Sequence, residues 1–123
     1  MKDGDGYTVL VVDDDPALRM LCRVNLELDG YAVLEAGSVD EAAEHAARAD
    51  VDVILLDIRM GEGLGNGLTL LDRLPPVDRH AVALLTGSVD LTHFERPVEV
   101  DAIISKPFAL EDLATAVHDL ATR

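Results

Sequence analysis

Four points along the chain carry side chains that could act together on a phosphoryl group. Asp13, Asp14 and Asp15 follow one aliphatic run, Tyr7-Thr-Val-Leu-Val-Val, and Asp57 ends another, Val51-Asp-Val-Ile-Leu-Leu-Asp. Thr86 ends a third, Ala81-Val-Ala-Leu-Leu, and Lys106-Pro107 follows a fourth, Asp101-Ala-Ile-Ile-Ser. Short aliphatic runs of this kind read as strands buried on both faces, and open parallel sheets present their ligand crevice at the C-terminal strand ends. Brought to one place, Asp13, Asp14 and Asp57 would repel one another until a cation or proton intervened, and oxygen-only ligands select a hard cation such as Mg²⁺. With Mg²⁺ held by carboxylates and waters, one carboxylate oxygen can attack phosphorus while Thr86 and Lys106 bind the remaining phosphoryl oxygens. Asp57 is the best placed nucleophile, because it stands alone at the end of the central strand.

The elements that must position these groups follow from the intervening sequence. Asp15 followed by Pro16 predicts a helix start, with the acid capping free amides and proline at the first helical position. Leu18, Leu21, Cys22 and Leu26 recur at helical spacing before Gly30 ends the helix. Tyr31-Ala-Val-Leu-Glu-Ala predicts a second strand, Ser38 with Glu41 a capping box, and Val39, Ala42, Ala43 and Ala46 one face of the next helix. Leu68, Leu70, Leu71 and Leu74 predict a short helix stopped by Pro75-Pro76, and Ser88 to Arg96 carries a weaker helical signal. Leu110, Leu113, Ala114, Val117 and Leu120 or Ala121 line one face of the last helix. Strand and helix thus alternate five times, which predicts an α/β fold: a parallel sheet with helices on both faces.

The chain has 123 residues, which fits a single domain over 1–123. Ten basic against twenty-four acidic residues give a formal charge of −14, which opposes direct binding to nucleic acid or anionic membrane. Two Tyr, two Phe and no Trp leave few rings for stacking bases. No apolar run approaches the ~20 residues needed to cross a bilayer, the polar N-terminus resembles no signal peptide, and the lone Cys22 has no internal disulfide partner. A cytoplasmic location is the expectation. Gly61-Glu-Gly-Leu-Gly-Asn-Gly lacks the spacing of a P-loop or a dinucleotide fingerprint, and fits an active-site loop or a plain connector.

Val11-Val-Asp-Asp-Asp-Pro, Leu55-Leu-Asp-Ile-Arg-Met, Leu85-Thr-Gly and Lys106-Pro-Phe, in that order, closely resemble the receiver domain of two-component response regulators, and chemotaxis-regulator-like single domains among them. The resemblance covers essentially the whole chain. It implies a flavodoxin-like (βα)5 doubly wound parallel five-stranded sheet of order 2-1-3-4-5. It implies Asp57 as phosphoacceptor, with Thr86 and Lys106 contacting the phosphoryl group. Asp14, the Asp57 carboxylate and the Arg59 backbone carbonyl would ligate Mg²⁺, and Asp13 would hold a metal-bound water. The Lys106-Pro107 bond would be cis, and Asp15 is left to helix capping. The implied partners are a histidine kinase or histidine phosphotransfer protein, which donates the phosphoryl group, and a downstream protein target. Such a domain is a switch that catalyses its own phosphorylation and dephosphorylation, and no general enzyme.

The chain departs from the family pattern in three places. Gly61 stands where proline is usual, in a loop longer than the common form; the segment from Thr86 to Lys106 is shorter than usual and contains Pro97; and Ile103 replaces a common Tyr or Phe. Isoleucine is stiff and has no ring or hydroxyl to exchange between exposed and buried positions. Phosphorylation is therefore expected to act by ordering the loops at Gly61 to Gly67 and Gly87 to Asp90. Two other readings stand beside the leading one. A receiver-like interaction module could bind partners without phosphorylation, and a small haloacid-dehalogenase-like phosphohydrolase would use Asp13 as nucleophile and Asp15 as general acid.

Overall fold

The apolar runs do become strands, and their alternate residues supply two separate cores. A computed structural model describes residues 6–48, 50–57, 81–86, 102–105 and 108–122. Its strands are Thr8–Val12 (β1), Ala32–Ala36 (β2), Val53–Asp57 (β3), Ala81–Thr86 (β4) and Ala102–Ser105 (β5), and the helices among the described residues are Pro16–Leu28 (α1), Val39–Arg48 (α2) and Leu110–Thr122 (α3). All strand pairs are parallel, in the order β2-β1-β3-β4-β5. This is the flavodoxin-like order expected from the sequence.

A strand's side chains point alternately to opposite faces, so a strand covered on both sides must be apolar throughout. In β1, Leu10 and Val12 join Ala36, Ala42, Ile54, Leu56, Val82 and Leu84 in one core, with Val39 and Ala43 of α2 packed against it. Val9 and Val11 point the other way, into a core shared with Cys22 and Leu26 of α1, Val53, Leu55, Ala83, Leu85, and Leu113 and Val117 of α3. Leu10, Leu26, Ile54, Leu55, Leu56, Leu84, Leu85 and Leu113 are fully buried. Each such side chain is worth roughly 1.5–3 kcal/mol of transfer free energy. Two helices therefore cover one face and one described helix the other, with β1 and β3 in the middle.

Local chemistry sets the ends of α1. Asp15 has extended backbone angles and accepts from the Ala17 amide, and Pro16 occupies the first helical position, as the sequence predicts. At the other end Gly30 adopts φ +97°, while its amide donates to the Glu27 carbonyl and the Tyr31 amide to that of Leu26. That pair of bonds is a left-handed helix stop, and it needs a residue without a Cβ penalty at Gly30. The capping box before α2 is a variant: the Glu41 amide donates to Ser38 Oγ, but the Glu41 carboxylate accepts from the Gly37 amide.

The central run differs from its simplest reading at its start. The strand begins at Val53, because Asp52 ties three strand starts together. Its amide donates to the Thr8 carbonyl, its carboxylate accepts from the Thr8 amide at 2.8 Å, and its carbonyl accepts from the Ala81 amide. The helix expected at Leu68 to Leu74, the Ser88 to Arg96 segment and the loops at Gly61 to Gly67 and Gly87 to Asp90 lie outside the described residues. Arg59 and the Lys106-Pro107 bond also lie outside them.

Candidate functional site

Sheet register brings the acids together. Val12 of β1 is paired with Leu56 of β3, so the residues that follow, Asp13 and Asp57, emerge side by side at the C-terminal edge of the sheet. Asp57 is the last residue of β3 and is paired with Leu85 of β4. Carboxylate oxygens of Asp13, Asp14 and Asp57 all lie within 4.8 Å of one another. Asp13 and Asp57 are 1% and 6% exposed, while Asp14 is exposed. The cluster therefore has a buried floor and one member open to water.

Several backbone contacts hold the floor in place. The Asp13 amide donates to the Ala36 carbonyl at 3.1 Å, extending the β1–β2 ladder by one residue. Asp13 Oδ1 accepts from the Asp15 amide at 2.9 Å. The Asp13 carbonyl accepts from Arg19 Nη1 at 2.7 Å. Two unit charges held within 4.8 Å repel by about 3 kcal/mol or more at an effective dielectric constant of about 20, so ionising both buried carboxylates without a cation is electrostatically unfavourable. A divalent cation relieves that repulsion.

The donor set fits Mg²⁺. It consists of oxygen alone, it is anionic, and the exposed position of Asp14 leaves room for the waters that Mg²⁺ retains. A softer ion would call for nitrogen or sulfur donors, and Cys22 is buried in the core beneath α1 and is no member of the acidic group.

Thr86 ends β4, one residue beyond Leu85 and in register with Ser105 of β5, and Lys106 follows Ser105 in the chain. The strand ends carrying Asp57 and Thr86 thus lie next to each other, and the described backbone brings β5 to the same edge. Asp15 caps α1 through its carboxylate, which is the role the sequence suggests for it. His45 lies on α2 and His118 on α3, each outside the acidic group.

Sequence reasoning missed Arg19, which reads there as one more surface charge. Its side chain is only 20% exposed and lies between the acidic loop and Glu35 of β2. The available signal was its place one turn into the helix that follows the acids.

The chain matches the family model described as the response regulator receiver domain over residues 9–118. The probable transcriptional regulatory protein TcrX of Mycobacterium tuberculosis is 30% identical over 98% of this chain and 52% of its own length. The transcriptional regulatory protein AruR of Pseudomonas aeruginosa is 35% identical over 94% of this chain and 49% of its own length. The sensor kinase CckA of Brucella abortus matches at 34% identity over 92% of this chain but only 12% of its own. Among solved structures, the CheY-like response regulator receiver domain protein from Methanospirillum hungatei aligns with a TM-score of 0.80 at 26% identity, covering 92% of this chain and 91% of that one. The non-phosphorylated HemR receiver domain from Leptospira biflexa aligns with a TM-score of 0.79 at 26% identity, covering 95% of both chains. The fold and the acidic edge are those of a phosphoacceptor signalling module, and the chain belongs to the receiver domain family of two-component response regulators. It spans about half the length of the curated regulators it matches.

Proposed function

We propose that residues 1–123 form one receiver domain that accepts a phosphoryl group on Asp57 in a Mg²⁺-dependent reaction and thereby switches its protein contacts. The observation that carries this reading is the meeting of the Asp13, Asp14 and Asp57 carboxylates within 4.8 Å at the end of the central strands. In the proposed step an Asp57 carboxylate oxygen forms a bond to phosphorus as the bond from phosphorus to the donor's imidazole nitrogen breaks. The bonding pair leaves with that nitrogen, and Asp57 becomes an acyl phosphate. Asp14, the Asp57 carboxylate and the Arg59 carbonyl would hold Mg²⁺, and Asp13 would hold one of its waters. The ion supplies positive charge where the phosphoryl oxygens gather negative charge. In this reading Lys106 pairs with the phosphoryl group and the Thr86 hydroxyl donates to it.

The donor in this reading is a phosphohistidine on a histidine kinase or phosphotransfer protein, and the recipient of the signal is a protein. The net charge of −14 fits protein partners and opposes direct contact with nucleic acid or anionic membrane. The domain works as a switch with self-directed phosphorylation and dephosphorylation, in the cytoplasm. No helix among the described residues is long and apolar enough to cross a membrane.

Incubation with Mg²⁺ and acetyl phosphate tests the proposal. Transfer of one phosphoryl group, lost on chelation of Mg²⁺, is expected. No transfer under any condition would point to an interaction module that works without phosphorylation. Transfer to Asp13 with turnover of phosphate esters would point to a phosphohydrolase, a reading that the capping role of Asp15 already disfavours.

A further inference from the structure

The acidic loop is clamped from behind by a single guanidinium. Arg19 Nη1 donates to the Asp13 carbonyl at 2.7 Å, while Arg19 Nε donates to Glu35 Oε1 at 3.3 Å. Glu35 is paired with Val11 in the β1–β2 ladder, so the far end of the clamp rests on the sheet itself. A second arginine steadies it, since Arg23 Nη1 donates to Glu35 Oε2 at 2.8 Å and Arg23 Nε lies 3.8 Å from Glu27. Charge-assisted bonds of this kind are short and directional, and a planar guanidinium joins two acceptors in fixed geometry where an ammonium cannot.

The slot that admits the guanidinium is made by Gly37. A Cβ built on Gly37 would lie 2.9 Å from Arg19 Nη1, the atom that holds the Asp13 carbonyl. That separation is closer than real Cβ contacts, so a side chain there would push Nη1 aside. The chain can yield, because Nη1 is the free end of a flexible side chain, and the bond to Asp13 is what would be lost.

We propose that Arg19 is a positioning residue for metal binding: from the slot beside Gly37 it fixes the Asp13 carbonyl, and so the turn that aims the Asp13 and Asp14 carboxylates at Mg²⁺. This rests on reading the acidic cluster as a Mg²⁺ site. Arg19 acts through geometry, because its charge and that of Arg23 are already matched by Glu35 and Glu27 at the other end of the clamp. Geometry and charge predict opposite signs. Losing a clamp weakens Mg²⁺ binding, whereas removing a nearby cation from an anionic site strengthens it.

The test is calorimetric titration of Mg²⁺ into the folded wild-type domain and into Arg19→Gln, Arg19→Lys and Gly37→Ala, with folding checked by circular dichroism. Arg19→Gln is expected to weaken binding about tenfold, in the range found when groups that orient metal ligands are removed. Arg19→Lys is expected to recover part of the loss, since it keeps a cationic donor. Gly37→Ala is expected to weaken binding with Arg19 still present, and to add little when combined with Arg19→Gln. Wild-type affinity, or tighter binding, in folded Arg19→Gln and Gly37→Ala would overturn the proposal. If Arg19→Gln does not fold, Gly37→Ala decides alone. Absence of Mg²⁺ binding by the wild type would defeat the metal reading itself, and this proposal with it.

Discussion

Asp13 and Asp57 lie beside each other because Val12 and Leu56, one residue earlier, are register partners on adjacent parallel strands. Both carboxylates are buried, and each has an oxygen within 4.8 Å of the other's. Register alone therefore creates a site of concentrated negative charge at the sheet edge. With no metal bound, repulsion between the ionised carboxylates opposes folding.

Asp57→Asn is expected to relieve that cost. The neutral amide removes one side of the Asp13–Asp57 repulsion while nearly preserving shape, so the metal-free unfolding free energy should stay level or rise by up to about 2 kcal/mol. Urea denaturation in the presence of a chelator checks this. A loss above about 2 kcal/mol would contradict the clustered-acid picture.

Mg²⁺ should stabilise the wild-type domain by an amount that rises with the logarithm of its concentration once that exceeds the dissociation constant. A ligand that binds only the folded state adds about 2.7 kcal/mol at a hundred times its dissociation constant. Asp14→Asn, which removes the exposed member of the cluster, should flatten that response and leave metal-free stability nearly unchanged. An identical Mg²⁺ response in the variant, followed through the urea midpoint, would place the ion elsewhere.

Asp15 and Asp14 are neighbours with different expected effects. Asp15 accepts from the Ala17 amide at the start of α1, so Asp15→Ala should cost about 1 kcal/mol, as loss of a helix cap does. Phosphoryl transfer from acetyl phosphate should persist in that variant. Loss of transfer with unchanged stability would return Asp15 to the chemistry.

Asp52 offers a purely structural control just before the strand that ends in Asp57. Its carboxylate accepts from the Thr8 amide at 2.8 Å, and leaving that half-buried donor unsatisfied costs about 1–3 kcal/mol. Asp52→Ala should therefore lower the urea midpoint, and Asp52→Asn, which keeps an acceptor oxygen, should lower it less. Both should still take up phosphoryl at Asp57. Equal stability of the two variants would show that the side chain does not tie β1 to β3.

The sheet was legible because parallel strands buried on both faces announce themselves as unbroken apolar runs, and two of those runs lead into the carboxylates that meet at the sheet edge. Asp15-Pro16 and Gly30 were legible for the same local reason: a cap and a left-handed stop are written in one or two residues. Asp52 and Arg19 were not. Asp52 is satisfied by Thr8 and Ala81, and Arg19 by Asp13 and Glu35, partners set by strand order and by the helix's position over the sheet. Apart from the place of Arg19 one turn into the helix that follows the acids, nothing in the neighbouring sequence distinguishes such an Asp or Arg from a solvated one. Gly37 likewise reads as a turn residue, although what it provides is room for a guanidinium.

The most direct measurement is the location of the phosphoryl group. After incubation with acetyl phosphate and Mg²⁺, borohydride reduction converts an aspartyl phosphate to homoserine, and tandem mass spectrometry of the digested chain identifies the altered position. Modification at Asp57 alone, absent from Asp57→Asn and absent without Mg²⁺, is predicted. Modification at Asp13 or Asp14 instead, or undiminished modification in Asp57→Asn, would contradict the assignment of Asp57 as the phosphoacceptor.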